Sequence, residues 1–497
     1  MDRSSFFYER FLSFFDYGMT PDQENLFREV ASFITCDDAD ILVVDGFAGT
    51  GKTTAISAVI SALDGLRPLV RRPDGPDEYE EICYLMAPTG RAAKVLSGYS
   101  GKNARTIHKM VYRQKKVGDD GLGVFSRVPN RLSHKLFIVD EVSLIGVSEG
   151  QRDASVKFGD GDLLGDLVSF VRDGTDCRLI LIGDSAQLPP VGHDLSPALS
   201  PEYLQSRFGG VRSCTLTEVV RQQKESGILW NATHLRDLIL SSTLSGEMVE
   251  TGSLGLRTDG FDDVQRISGG ELLDALNQAY YTDYSKEDAI VLCRSNKRAN
   301  RYNDGIRAQV FFDEDRLVRG EKLMIVKNCY HFLGGVKEMD YIANGDIATL
   351  VSIKNHEERY GLHFADARLS FPDYGCVEIQ AKVCLDTLGS ESASLTYEQQ
   401  NALYHGVDAD YSDIKSKKKR YEAVREDPYF NALQLKYANA ITCHKSQGGQ
   451  WGCVFIDNPF WQEELSTDDL KWLYTAMTRA VERVYLVTFK DEYFKTR

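Results

Sequence analysis

Short apolar runs alternate with stretches that repeat apolar residues at helical spacing over most of the chain. The runs cover residues 41–45, 82–87, 136–139, 178–183, 289–293, 453–456 and 484–488, and each ends in polar or small residues. Runs of that length and composition predict strands buried in a parallel sheet. Strand-like and helix-like stretches in alternation predict an α/β architecture, with sites outside the carboxyl ends of the strands. The first four runs lie before residue 220 and the other three after residue 285. Between them, residues 326–430 differ in character, with short β-like runs and many charges. There Asn344-Gly345 reads as a tight turn entering a strand, and a polar helical stretch starts near Tyr397. The pattern predicts two α/β domains, the second interrupted by a small β domain with a helical extension.

The first residues are aromatic but broken by Asp2, Arg3, Glu9, Arg10 and Asp16. Phe7, Phe11, Phe14 and Phe15 fall on one helical face, which predicts a helix docked on the body rather than a signal peptide. No apolar run approaches the length of a membrane span, so the cytoplasm is the expected location. The chain has 497 residues, too many for a single core. Its net charge of −15 gives no overall attraction for a polyanion, so any nucleic acid must meet a local basic channel. The ten cysteines are scattered singly, as buried thiols of a reduced compartment are.

Residues 46–53 read GFAGTGKT, on a turn from the first strand into a helix. Glycines there let the backbone approach a ligand, and the helix start attracts an anion. Gly46, Ala48, Gly49, Thr50, Gly51, Thr53 and Thr54 form the expected cradle for a nucleoside triphosphate. Lys52 is expected to reach the β- and γ-phosphates, and the Thr53 hydroxyl to bind magnesium. The run 136–139 ends in Asp140-Glu141, with Asp140 expected on the metal and Glu141 on the attacking water. The run 178–183 leads into GDSAQLPPV, where Gln187 is expected to sense the γ-phosphate.

With that loop, the DE strand and GDxxQLPPV, the chain resembles superfamily 1 helicases in motifs I, II and III. APTGRAAK at 87–94 resembles motif Ia and TIH at 106–108 motif Ib. LTEVVRQ at 216–222 resembles motif IV, TCHKSQG at 442–448 motif V and LYTAMTRA at 473–480 motif VI. TPDQ at 20–23 resembles the Q motif. The TIH, HKSQG and NGD forms are similar to the RecD/Dda-like branch, which moves 5′→3′ on single-stranded DNA.

The resemblance implies two RecA-like parallel-sheet motor domains. The first carries a β-hairpin insertion, and the second an inserted SH3-like β domain with a helical extension. The expected limits are 1–19 for the N-terminal helix, 20–220 for the first motor domain and about 109–133 for the hairpin. They are 221–325 with 431–497 for the second motor domain and 326–430 for its insertion. The resemblance also implies ATP and Mg²⁺ as cofactors, Gln23 reading adenine, and Arg221 and Arg479 as arginine fingers. Gln450 stands where the family commonly has an acidic residue toward the ribose; it can hydrogen-bond there but brings no charge. Pro88, Thr89, Lys94, Thr106 and His108 would grip the strand from the first domain, and Thr442, His444 and Ser446 from the second. Leu122 or Phe125 would form the tip of a duplex-splitting hairpin.

Other readings stand beside these. Thr89 also fits a helix cap, His108 a structural histidine, and the hairpin a plain surface loop. The basic run 415–420 fits a solvated helix face or a DNA contact. Trp451, Trp461 and Trp472 fit core packing. The expected partners are single-stranded DNA and its junctions with duplex, with replication or repair proteins as candidates. The expected state is a monomer away from membranes.

Overall fold

The computed structural model describes residues 2–67, 69–70, 78–114, 124–146, 157–158, 162–220, 226–336, 339 and 341–495. They fall into two compact units. The first gathers the described residues of Met1–Lys115, Val124–Met248 and Ser466–Thr475; the second gathers those of Val249–Leu465 and Ala476–Arg497. The helix Gly227–Ser245 thus belongs with the first unit, beyond the limit expected at residue 220.

The first unit is built on a six-stranded, all-parallel sheet. Its order is Val211–Leu216, Ile41–Gly46, Arg178–Gly183, Leu136–Val139, Cys83–Ala87, Arg105–Thr106. The four inner strands are the four apolar runs of the sequence. They are buried on both faces, which is why they read as continuous apolar segments. On one face Leu42, Val44, Ile138, Ile180 and Ile182 pack with Ile56, Val59, Leu26 and Phe27 of the neighbouring helices Lys52–Asp64 and Pro21–Phe33.

The N-terminal helix Arg3–Leu12 docks on this layer through aromatic rings. Phe11 is fully buried, with its ring centroid 5.8 Å from that of Phe27. Phe15 meets the same ring edge-on at 5.5 Å, and Phe7 packs at the border of the core. Arg10 Nε donates to the Ala62 carbonyl at 2.8 Å. Phe14, expected on the docking face, is instead exposed, because the helix stops at Leu12 and Phe14 lies in the turn beyond it.

Tyr112–Gln114 and Val124–Arg127 pair antiparallel, with Gln114 opposite Phe125. The residues between them, including Leu122, lie outside the described residues, as does the Phe125 side chain.

The second unit holds a five-stranded parallel sheet. Its order is Val264–Ile267, Ala480–Val487, Trp451–Asp457, Ala289–Cys293, Ala440–Thr442. It also holds a closed five-stranded barrel of Lys322–Ile325, Ile347–Arg359, Leu362–Phe371, Val377–Cys384 and Leu433–Tyr437. The barrel overruns the expected 326–430 at both ends, since its first and last strands pair to close it. Gly345, at φ +97°, makes the turn into the second barrel strand, and its N–H donates to the Ile325 carbonyl at 2.8 Å. The helices Tyr397–Asp410 and Lys417–Glu426 precede the last barrel strand. Their Leu403, Val407 and Val424 form a satellite core with Leu362 and Phe364.

Trp451 and Trp472 are buried as expected, but Trp461 is 82% exposed and is not a core residue. Eight of the ten cysteines are buried and none of the ten is in a disulfide. Among the described residues no helix is long and apolar enough to cross a membrane.

Phe11→Ala removes the ring that fastens the N-terminal helix. Its expected cost is about 3–5 kcal/mol of unfolding free energy for the first unit. Urea denaturation followed by circular dichroism checks this, and an unchanged midpoint would show that the docked helix contributes no stability.

Candidate active site

The strand Ile41–Gly46 ends between two parallel neighbours, and the chain turns into the helix Lys52–Asp64. Gly49 and Gly51 make that turn in the left-handed region, at φ +76° and +70°. A side chain at Gly51 would also collide, because a Cβ there would lie 2.3 Å from Gln23 Nε2. Gly51 is the N-cap, and no side chain caps the helix that follows. A helix start of that kind is suited to an anion.

The loop is held by distant residues. Gln23 is buried; its Nε2 donates to the Thr50 carbonyl at 3.0 Å while its Oε1 accepts from Thr20 N–H at 3.0 Å. It therefore serves as a strut between a capping box and the loop. Val220 N–H donates to the Gly49 carbonyl at 3.0 Å. Lys52 Nζ donates to the carbonyls of Gly46 at 2.9 Å and Gly183 at 2.8 Å, which turns its charge over the strand ends. Thr53 and Thr54 are exposed on the first turn of the helix.

Two strand ends bring carboxylates to the same edge of the sheet. Asp140 accepts from the Tyr99 hydroxyl on Oδ2 and from Glu141 N–H at 2.9 Å on Oδ1. Glu141 sits at φ +56°, a left-handed conformation that strains any residue with a Cβ by about 1–2 kcal/mol. Such strain is commonly kept where a side chain must be aimed.

The adjacent strand ends at Gly183 and is followed by Asp184, to which the sequence assigns no role. Asp184 is buried, and its Oδ2 accepts from the Tyr474 hydroxyl at 2.7 Å. The Tyr474 oxygen in turn accepts from Ala48 N–H of the phosphate loop at 2.9 Å. Thr475 Oγ1 accepts from Leu188 N–H at 2.8 Å. Burial pushes the Asp184 carboxyl up to about 6. The nearby Asp45 carboxylate pushes the same way, while the Lys52 ammonium and the Tyr474 hydroxyl oppose both. Gln187 is also buried, and its Oε1 has no hydrogen-bond partner among the described residues.

The residues expected on DNA are placed as follows. Pro88 is half-buried. Thr89 caps the helix Gly90–Ser100 by accepting from Ala92 N–H, and Lys94 is exposed on that helix. Thr106 caps Ile107–Val111. His108 lies against the Tyr112 ring, and burial pushes its imidazole down to about 4, so it is neutral near pH 7. In the second unit Thr442 is half-buried and His444 exposed. Ser446 is fully buried, with its hydroxyl donated to the Cys443 carbonyl at 2.7 Å. Gln450 is exposed. Arg479 is only 3% exposed; its guanidinium donates to the Gly449 carbonyl and the Thr478 hydroxyl. Arg221 lies outside the described residues.

Phosphate loop, strand-end carboxylates and parallel sheet define a nucleoside-triphosphate hydrolase of the phosphate-loop class. The AAA domain family matches residues 18–238, and the UvrD-like helicase C-terminal domain family matches residues 437–487. The ATP-dependent DNA helicase dda of Enterobacteria phage T4 is 25% identical, over 94% of this chain and 99% of that protein. The ATP-dependent RecD2 DNA helicase of Deinococcus radiodurans is 28% identical over 43% of this chain, a match that spans only 23% of that protein. A Pif1 helicase from Bacteroides, solved with ADP-AlF3 and single-stranded DNA, aligns with 97% of this chain and 95% of its own, at 16% identity and a TM-score of 0.46. In these matches the chain is similar to superfamily 1 helicases of the RecD/Dda type.

The raised Asp184 pKa has a sign. The folded protein keeps this proton between the ordinary value of 3.8 and about 6, where the unfolded chain loses it. The stability that this adds is complete below about pH 4 and is lost as pH rises through about 6. Asp184→Asn is expected to flatten that step by roughly 2–3 kcal/mol. Denaturation midpoints that run parallel for the two proteins from about pH 4 to 7 would contradict it.

Proposed function

We infer that the protein is an ATP-driven DNA helicase that moves 5′→3′ along single-stranded DNA and separates duplex. The end-to-end match with a protein named as a DNA helicase supports this most strongly. Binding of ATP begins at the uncapped helix start behind Gly51. Lys52 exchanges its two carbonyl partners for phosphate oxygens, replacing neutral acceptors with charged ones. Glu141 orients and deprotonates the attacking water, and Gln187 Oε1, unpartnered among the described residues, accepts a hydrogen bond from that water beside the γ-phosphate. Gln23 and Gln450 are the proposed contacts to adenine and ribose.

The donors at this edge suit magnesium, which takes hard oxygen ligands. They are an exposed hydroxyl on Thr53 and a carboxylate on Asp140 that is already oriented by two hydrogen bonds. When bound, the ion would neutralise phosphate charge. Arg221 and Arg479 are proposed to stabilise the charge of phosphoryl transfer, on the family resemblance alone.

Pro88, Thr89, Lys94, Thr106 and His108, with Thr442 and His444, are the proposed strand contacts. Being hydroxyls, rings and one lysine, they hold backbone and sugar without reading sequence. Ser446 shapes the motif V turn from inside. The barrel is proposed as the SH3-like insertion. The paired strands at 112–114 and 124–127 are proposed as the arms of the duplex-splitting hairpin, with Leu122 at its tip; Phe125, expected as an alternative tip, lies on an arm opposite Gln114. The substrates are single strands and their junctions with duplex, with replication or repair proteins as candidate partners of a monomer.

Hydrolysis measured with and without a single-stranded oligonucleotide tests this reading. Wild type should be stimulated by DNA, Lys52→Ala should lose nucleotide binding and turnover, and Glu141→Gln should bind ATP yet turn over at least about a hundredfold more slowly. Normal turnover by Glu141→Gln would remove it as the base.

A further inference from the structure

The segment Ser466–Thr475 belongs to the first unit although it lies far along the chain from the phosphate loop. It is fastened along the loop that follows Asp184. Lys471 Nζ donates to the Asp194 carbonyl at 2.8 Å, and Thr475 accepts from Leu188 N–H at 2.8 Å. At the far end of this seam Tyr474, 1% exposed, accepts from Ala48 N–H and donates to Asp184. Asp184 is itself committed: its Oδ1 accepts from Ala186 N–H at 3.0 Å, and its carbonyl accepts from Gln187 N–H at 3.2 Å. One phenol therefore joins the third residue of the phosphate loop to the turn that presents Gln187. The same helix, Thr467–Met477, runs on toward Arg479.

We propose that Tyr474 is a positioning residue for hydrolysis, which sets the phosphate loop at Ala48 and the Gln187 turn relative to each other through a single hydroxyl. Two features separate this from ordinary packing. The ring alone would fill the space, yet the hydroxyl is placed between a main-chain donor of the loop and a buried carboxylate. That carboxylate is costly to bury and has little purpose there without the donor it receives. Because Gln187 Oε1 is left without a partner among the described residues, its aim depends on the turn that Asp184 holds. Tyr474 acts through Ala48 and Asp184, and through Asp184 on the Gln187 turn. Loss of the hydroxyl leaves the uncapped helix start and Lys52 intact, so nucleotide affinity is retained while the geometry around the γ-phosphate loosens.

The proposal rests on the hydrolase reading above, and Tyr474→Phe tests it. The kcat for ATP, measured without DNA, should fall about tenfold, the factor for one lost buried hydrogen bond. KM for ATP and the Kd for ADP should stay within about twofold, because uniform binding is untouched. An unchanged kcat overturns the proposal. So does a loss of kcat accompanied by equal weakening of KM and Kd, which is the signature of a scaffold that has merely softened. Should Tyr474→Phe fail to fold, as judged by circular dichroism, Asp184→Asn alters the same bond from its other end and is read by the same outcomes. Stimulation of the wild type by DNA is scored separately. It bears on the helicase reading alone, while the ratio of variant to wild type without DNA decides the role of Tyr474.

Discussion

The site depends on one backbone constraint, the left-handed Gly51 that turns a buried strand into a helix with no side-chain cap. A capped helix start would have satisfied its own amides. Here the residues before it are secured from elsewhere: Ala48 by Tyr474, Gly49 by Val220, Thr50 by Gln23. The Lys52 ammonium rests on two carbonyls. The Gln23 and Val220 bonds, which hold the main chain next to the helix start, limit the entropy lost when an anion arrives, whereas the Tyr474 bond sets the loop against the Gln187 turn.

The clamp explains why polar groups are buried beneath it. Asp184, Gln23, Gln187 and Thr50 are each less than a tenth exposed, and each stands at a strand end or next to the loop. Buried polar groups destabilise a fold unless hydrogen bonds satisfy them, and networks of this kind define one geometry rather than many. The strained Glu141 belongs with them, since it follows directly on Asp140 at the end of the strand Leu136–Val139. The second unit repeats the parallel-sheet plan and adds a closed barrel, whose entry is fixed by Gly345 and by Asp346 accepting from Ala343 N–H.

The interior of each sheet was legible because burial on both faces forces a continuous apolar run. Strands that lack this pressure left no such mark. Val211–Leu216 reads VRSCTL, at the edge of its sheet, with only Cys214 and Leu216 buried. Arg105–Thr106 and Ala440–Thr442 are too short for a periodicity. Phe14 misled because the helical face was extrapolated past a helix that ends at Leu12. The phosphate loop and the carboxylates at 140–141 were readable from local spacing. Tyr474 and Asp184 lay inside quoted motifs but had no assignable role, because their bond joins residues with no sequence relation to each other. Gln23 was read as a contact to adenine, whereas the Thr20-to-Gln23 spacing also spells the capping box that the structure contains.

Hydrolysis at this loop is proposed to drive directed motion on a single strand. The most direct measurement is strand displacement on two duplexes of identical sequence, one with a 5′ single-stranded tail and one with a 3′ tail, in the presence of ATP. The account predicts separation of the 5′-tailed duplex only. Equal separation of both, or preference for the 3′ tail, would contradict it.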